Sequence, residues 1–262
     1  MKALSRRTLS LAVCAAVVIA TAAVAAFAPL PISIVEPGKT WNVLGADSGN
    51  PIITVAGAPV RATSGQLRMV TVAATAPNAS VHMSDVLSAW FKRSEAAMPR
   101  DSVYPSGGSV KEIEKADEKQ MTQSQQDATT AALKHLGLSP SKVKVTLKLA
   151  DVGGPSAGLL FTLGIIDKID GDGHGGDLTG GRVIAGTGTI DGSGTVGAVG
   201  GVPLKELAAR AAGATVFIVP RGECADATAE LPAGLTLVPV TTLDNALSAL
   251  SALRAHQKLP TC

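Results

Sequence analysis

Two glycines and a proline stand between an apolar, β-branched segment, Val143 to Leu149, and a long apolar run that continues to Ile166. No other stretch limits the fold as strongly. Asp151-Val-Gly-Gly-Pro-Ser-Ala-Gly158 forces a sharp turn between a strand and a helix, and it presents Ser156 at the helix start. Backbone N–H groups without helical partners and the positive end of the helix dipole collect there. Such a place favours an oxyanion beside a nucleophile. Serine is also a favoured N-cap, so the residues alone leave catalysis and capping both open.

A second stretch, Gly200-Gly-Val-Pro-Leu-Lys-Glu-Leu-Ala-Ala-Arg-Ala-Ala-Gly213, reads as a turn followed by a helix that Gly213 closes. Lys205 falls in its first turn, the wrong end for the dipole. On a solvated face that is a small cost. For a lysine that must lose its proton it is useful, because positive potential and burial both lower an amine pKa. Glu206, next along the helix, is expected to face elsewhere. A positioned hydroxyl and an amine base are what a Ser–Lys hydrolase needs. His82, His135, His174 and His256 stand outside any glycine-framed motif and without ligand spacing to an acid or cysteine. They read as structural, and the lysine is the better base.

Three ordered motifs, Gly-Gly-Pro-Ser156-Ala-Gly, Gly180-Gly-Arg-Val-Ile-Ala-Gly-Thr187-Gly-Thr-Ile and Gly-Gly-Val-Pro-Leu-Lys205, resemble the proteolytic domain of Lon-type serine proteases. The trailing Ala-Gly-Ala-Thr-Val-Phe-Ile-Val-Pro220 agrees, and the resemblance runs from about Gln120 to Leu243. By motif position it makes Ser156 the nucleophile, Lys205 the general base and Thr187 a residue that helps hold the lysine. Gly153, Gly154 and Pro155 become the supporting or oxyanion positions. It implies a polypeptide substrate, no cofactor and no metal. The chain has no Gly-x-x-x-x-Gly-Lys-Ser/Thr loop, so the nearer resemblance is to membrane-anchored bacterial Lon-like proteases that lack an ATPase. Those often insert a PDZ domain between the helix matching Met121 to Leu136 and the Gly-Pro-Ser turn. Here only Gly137 to Asp151 intervenes, too short for a domain, which leaves substrate selection open.

Lys2, Arg6 and Arg7 precede an uncharged apolar run from about Leu9 to Leu30, long enough to cross a bilayer. The positive-inside rule then puts the N-terminus in the cytoplasm and the rest outside. A cleaved signal peptide competes. Ala-x-Ala patterns lie near Ala23 to Ala28, and Ser5-Arg-Arg-Thr-Leu faintly resembles a twin-arginine signal. The length of the run favours a retained anchor. The chain is thus read as a basic tail (1–8), a transmembrane anchor (9–30), a β-rich extracytoplasmic segment (31–119) and a proteolytic domain (120–262), in a single-pass protein of the cell membrane.

The net charge of +2, without a basic run interleaved with aromatics, excludes a nucleic-acid footprint. Hydrophobic residues at 46% supply a core, while aromatics at 3% leave packing to Ala, Val, Leu and Ile. Short strands are expected at Ile32 to Val35, Pro51 to Val55 and Leu67 to Ala73, and a helix at Val81 to Phe91. A loop at Met98 to Gly108, a solvated helical face at Ser109 to Lys119 and a helix at Met121 to Leu136 follow. Strands at Val183 to Ile190 and Thr195 to Val199 flank an Asp191-Gly-Ser-Gly194 hairpin turn. Val216 to Val219, Leu235 to Val240 and a last helix from Thr242 to His256 complete an α+β sandwich of sheet and helices.

Asp167 to Asp177 is acidic and glycine-rich. Its alternation suits a calcium loop, but the twelfth-position Glu of an EF-hand is missing. It reads as a flexible surface loop near the site, with ion binding left open. Cys14 lies in the apolar run. Cys224 and Cys262 lie beyond the membrane in an oxidising compartment, where a disulfide between them is reasonable. A nucleophilic Cys224 finds no base in Arg-Gly-Glu-Cys-Ala-Asp. The functional expectation is an ATP-independent membrane-anchored serine endopeptidase acting on envelope or extracytoplasmic polypeptides, with homo-oligomerisation open. Two alternatives stand beside it: a catalytically silent Lon-like envelope interaction module, and a glycine-loop anion or phosphate binder using Gly153 to Gly158.

Overall fold

The computed structural model describes residues 6–105, 109–149 and 152–262. Lys2 and Ser5 of the basic tail, Gly107 and Gly108 of the expected loop, and Asp151 lie outside the described residues. The chain divides into two compact units, Met1–Glu36 with Ala74–Val110, and Pro37–Ala73 with Lys111–Cys262.

In the first unit, α1 (Arg6–Phe27) has 22 residues and buries none of them. Its mean hydropathy of 2.5 and its length suit a membrane span, and a signal sequence meets the same two criteria. The start of β1 (Ile32–Asn42) pairs antiparallel with β6 (Ala96–Pro99), Ile32 opposite Pro99 and Val35 opposite Ala96. Between them in sequence lies α2 (Met83–Trp90), whose first turn is closed by Asp85 accepting from the His82 N–H at 2.8 Å. The segment from Met98 is therefore not a plain loop, since β6 runs on into α3 (Arg100–Val103). Arg100 donates to the Ala79 carbonyl and the Tyr104 hydroxyl to the Thr75 carbonyl, both at 2.8 Å, and these bonds hold it in place.

The second unit is an α+β sandwich. Its main sheet runs β12 (Thr236–Val240), β11 (Val216–Pro220), β8 (Val183–Gly186), β5 (Gln66–Ala74), β1. The β12–β11, β11–β8 and β8–β5 pairs are parallel, with Val216 opposite both Thr236 and Ile184, and Gln66 opposite Val183. All five residues of β11 are buried, as expected of a central parallel strand covered on both faces. Alternating side chains separate two cores. Met69, Ile184, Val216, Ile218 and Val238 pack with α4 (Val110–His135), α5 (Gly158–Ile169) and α8 (Leu243–Arg254). Val70, Ala185, Phe217, Val219 and Leu237 pack with α6 (Val202–Ala211) and α7 (Cys224–Ala229). Three small two-stranded sheets complete the unit: β2 (Ala46–Asp47) with β3 (Asn50–Pro51), β4 (Ile53–Ala56) with β7 (Lys144–Leu147), and β9 (Thr189–Ile190) with β10 (Val196–Gly197).

Three expectations change in the second unit. The segments expected at Ser109 to Lys119 and Met121 to Leu136 are joined in one helix of 26 residues, α4 (Val110–His135), because no glycine or proline interrupts it. The strand expected at Val183 to Ile190 breaks after Gly186: the Thr187 N–H still donates to the Ile218 carbonyl of β11, but the Gly188 N–H turns to the Ser156 carbonyl. The acidic loop is pinned rather than loose. Arg61 donates to the carbonyls of Asp167 at 3.1 Å and Gly175 at 2.9 Å, and Arg254 holds the Asp172 carboxylate and the Asp177 carbonyl. Asp167 is buried and accepts from the Leu178 N–H at 2.8 Å. Burial pushes its carboxyl up to about 6. Among the described residues, no three His, Cys, Asp or Glu side chains gather as metal ligands. Cys224 and Cys262 form a disulfide with their Cα atoms 5.3 Å apart, which ties the C-terminus to the start of α7.

Candidate active site

The turn that carries Ser156 is clamped between α4 and the break after β8. Ser124 Oγ on α4 donates to the Pro155 carbonyl at 3.0 Å, and the Gly154 N–H reaches the Asp117 carbonyl at 3.5 Å. A Cβ on Gly153 would stand 2.8 Å from Asp117 Cβ, so only glycine lets the turn lie this close to the helix. On its other side, the Ser156 carbonyl accepts from the Gly188 N–H at 2.9 Å and from the Thr187 hydroxyl at 3.3 Å.

Ser156 stands two residues before α5, whose N-cap is Ala157 with no side-chain cap bond. The serine therefore does not cap the helix, which removes the bland reading of its position. Among the expected oxyanion positions, Pro155 has no N–H, and the Gly154 N–H points at Asp117. The N–H groups of Gly153, Ser156 and Ala157 have no hydrogen-bond partner among the described residues. They are the donors the turn keeps free.

Lys205 is the fourth residue of α6. Gly201, at the N-cap, adopts φ 69°, a left-handed conformation that glycine takes without strain and that lets the helix start at Val202. The lysine is only 4% exposed, and its Nζ donates to Thr187 Oγ1 at 3.2 Å. Thr187 thus bridges the lysine amine to the Ser156 carbonyl, so that buried Thr187 and Lys205 stand beside a half-buried Ser156. No hydrogen bond joins the Ser156 hydroxyl to Lys205 among the described residues. Burial pushes the Lys205 amine down from 10.5 to about 8, while the Glu223 carboxylate pulls it back up.

Two acids refine the sequence analysis. Glu206 does make no bond to Lys205, but it is 0% exposed, and neither carboxyl oxygen has a partner among the described residues. Burial pushes its carboxyl up to about 8. The acid that bears on the lysine is Glu223, which sequence analysis does not name. It ends the short 3₁₀ turn Arg221–Glu223 before α7, and its Oε1 accepts from the Val199 N–H at 3.4 Å. Its one sequence signal is its position next to Cys224. The α4 clamp is also unnamed there, although Asp117, Met121, Ser124 and Ala128 repeat at helical spacing along one side.

Beside the serine turn lies a groove of about 870 Å³, with Glu114, Asp117, Glu118 and Met121 of α4 on one wall and Leu147 and Val152 on the other. Among the described residues β7 pairs only with β4, so its second edge carries no strand.

Residues 139–252 match the family model described as the Lon protease (S16) C-terminal proteolytic domain. That span contains Ser156, Thr187 and Lys205. No curated protein matches the chain.

Proposed function

We propose, from the premise that residues 139–252 form a Lon-type serine-protease domain, that this chain is an ATP-independent, membrane-anchored endopeptidase. Ser156 is its nucleophile, Lys205 its general base, and extracytoplasmic polypeptides are its substrates. The observation that carries the reading is the buried Lys205 amine, which donates to Thr187 Oγ1 while Thr187 donates to the Ser156 carbonyl. A neutral lysine held in this way keeps its lone pair for the Ser156 hydroxyl. As Oγ attacks a peptide carbonyl, its proton passes to Nζ and the carbonyl oxygen becomes an oxyanion facing the free N–H groups of the turn. The protonated lysine then gives that proton to the leaving amine, and an acyl-enzyme remains. Water completes the cycle: it gives a proton to Nζ as it attacks the ester, and Nζ passes that proton to Oγ as the carboxyl product leaves and Ser156 is restored.

Several features support the surroundings of this chemistry. A groove beside the turn and an open edge on β7 suit an extended peptide. The α1 helix has the length and composition of a single span, with Arg6 and Arg7 at its N-terminal end. A disulfide in the second unit fits an oxidising compartment.

A serine-reactive fluorophosphonate probe with mass-spectrometric site mapping tests the nucleophile. It should label Ser156 and no other serine, and Ser156→Ala should abolish both labelling and peptide cleavage. Lys205→Ala should also abolish cleavage, and Lys205→Arg should not restore it, because a guanidinium stays protonated. Full turnover by folded Lys205→Ala would remove the lysine from the mechanism.

A further inference from the structure

Outside α1, the exposed apolar surface of the first unit is concentrated in one short stretch. The whole chain has two Trp, one Tyr and four Phe, yet Trp90 and Phe91, at the end of α2, are 81% and 86% exposed. Leu87 and Met83 of the same helix are exposed as well. Outside α1, these are four of the seven large apolar residues exposed among the described residues. At 100° per residue, Met83, Leu87 and Trp90 fall within a stripe about 60° wide. Ala89, on the far side of the helix, is buried and attaches it to the unit. The stripe therefore points away from the protein.

What the stripe meets follows from where α2 is held. Phe27, the last residue of α1, is 78% exposed. Three residues later Leu30 donates its N–H to the Val81 carbonyl at 2.8 Å, an isolated β-bridge. Three residues of chain reach about 10 Å, so Val81, two residues before α2, is pinned close to the point where α1 would leave a bilayer. The charges agree. Lys92 pairs with Glu95 at 2.7 Å, but Arg93 is exposed and has no partner among the described residues. A free arginine beside exposed aromatics suits the anionic headgroup layer, where aromatic rings and basic residues gather.

We propose that α2 is a membrane-surface element. Met83, Leu87, Trp90 and Phe91 insert into the interfacial region of the phospholipid bilayer beside α1, with Arg93 on the headgroups. The inference rests on α1 remaining in the chain as a membrane span. An amphipathic stripe this short binds weakly alone, but tethering by α1 holds it at high local concentration against the lipid. The contact would fix how the first unit stands on the membrane, which a single spanning helix does not.

The full-length chain carrying Trp41→Phe leaves Trp90 as the sole tryptophan and serves as the reporter. Reconstituted in vesicles of phosphatidylcholine and phosphatidylglycerol, its emission should be blue-shifted, quenched by lipids brominated near the headgroup end of the chain, and shielded from aqueous iodide. Arg93→Gln should weaken the bromolipid quenching in these vesicles more than in pure phosphatidylcholine. Quenching by iodide without quenching by brominated lipid would overturn the proposal. So would shielding from iodide without brominated-lipid quenching, which would assign the stripe to a second copy of the chain. Flotation of the protein with the vesicles reports α1 independently. Failure to float would sink the anchor reading, and a floating protein with Trp90 in water would sink only the role of α2.

Discussion

The chemistry proposed at Ser156 depends, at neutral pH, on how often Lys205 is without its proton. A lysine at its ordinary value of 10.5 is neutral in about three molecules in ten thousand at pH 7, whereas one lowered to about 8 is neutral in about one in ten. Burial therefore supplies several hundredfold more of the basic form. The acid limb of the pH–rate profile for kcat/KM should rise with pH to a midpoint near 8, read with a fluorogenic peptide. Glu223 works against the depression, so Glu223→Gln should move that midpoint to lower pH and raise the rate at pH 7. An unmoved midpoint would separate Glu223 from the lysine. Glu206 makes a prediction about stability. Its folded pKa is raised from 4.5 to about 8, so the folded state holds a proton that the unfolded state releases. The stability it contributes is complete below pH 4.5 and is lost as pH rises through 8. Glu206→Gln should match the wild type in thermal unfolding near pH 4 and melt roughly 5–10 °C higher near pH 8. Equal melting temperatures at both pH values would show that the Glu206 carboxyl is satisfied in solution.

At the scale of elements, the site is a meeting of breaks. Ser156 lies between β7 and α5, Thr187 between β8 and β9, and Lys205 at the start of α6. Glycine and proline punctuation marks each of these places in the sequence, which is why the motifs and most element positions can be read there. The joining of α4 into one helix was less legible, because the charged spacing of Lys111 to Lys119 gives no sign that Ile113 is buried. Arg61 and Arg254 were silent for another reason: their partners in the acidic loop are more than seventy residues away in sequence. Glu223 is nearer its partners in sequence, 24 residues from Val199, but only the fold brings its turn to α6. The disulfide secures that turn's neighbour. Cys224 opens α7, which packs on α6 in the smaller core, and the bond closes a loop of 38 residues' separation. In the chain-entropy account such a closure contributes about 2–4 kcal/mol. Cys224→Ser with Cys262→Ser should lower the denaturation midpoint accordingly. The loss should appear as faster amide exchange in α7 and the Arg221–Glu223 turn, ahead of the sheet. Unchanged exchange there would confine the bond's effect to the C-terminal tail.

For the whole molecule, the two units hold different features. The second unit contains the residues matched to the Lon proteolytic domain and the Ser156–Thr187–Lys205 corner. The first contains α1, with no buried residue along its length. A 22-residue helix spans about 33 Å at 1.5 Å per residue, matching a hydrocarbon core of about 30 Å. A signal peptide needs an apolar stretch only about half that long. Arg6 and Arg7 open the helix, and no basic residue lies in its last turn, so the charge difference across it favours an N-terminus in the cytoplasm. This orientation would give Cys224 and Cys262 oxidising surroundings, which suit their bond. In cells expressing the full chain, the mature protein should retain Arg6–Phe27 and sediment with membranes at high salt. Proteinase added to intact spheroplasts should digest everything after Pro31, and alkylation before reduction should find Cys224 and Cys262 blocked. A soluble mature form beginning near Phe27 or Pro29 would make α1 a signal sequence. Protection from added proteinase, together with two free thiols, would place the proteolytic unit on the cytoplasmic side and overturn the orientation while leaving the Ser156 chemistry intact.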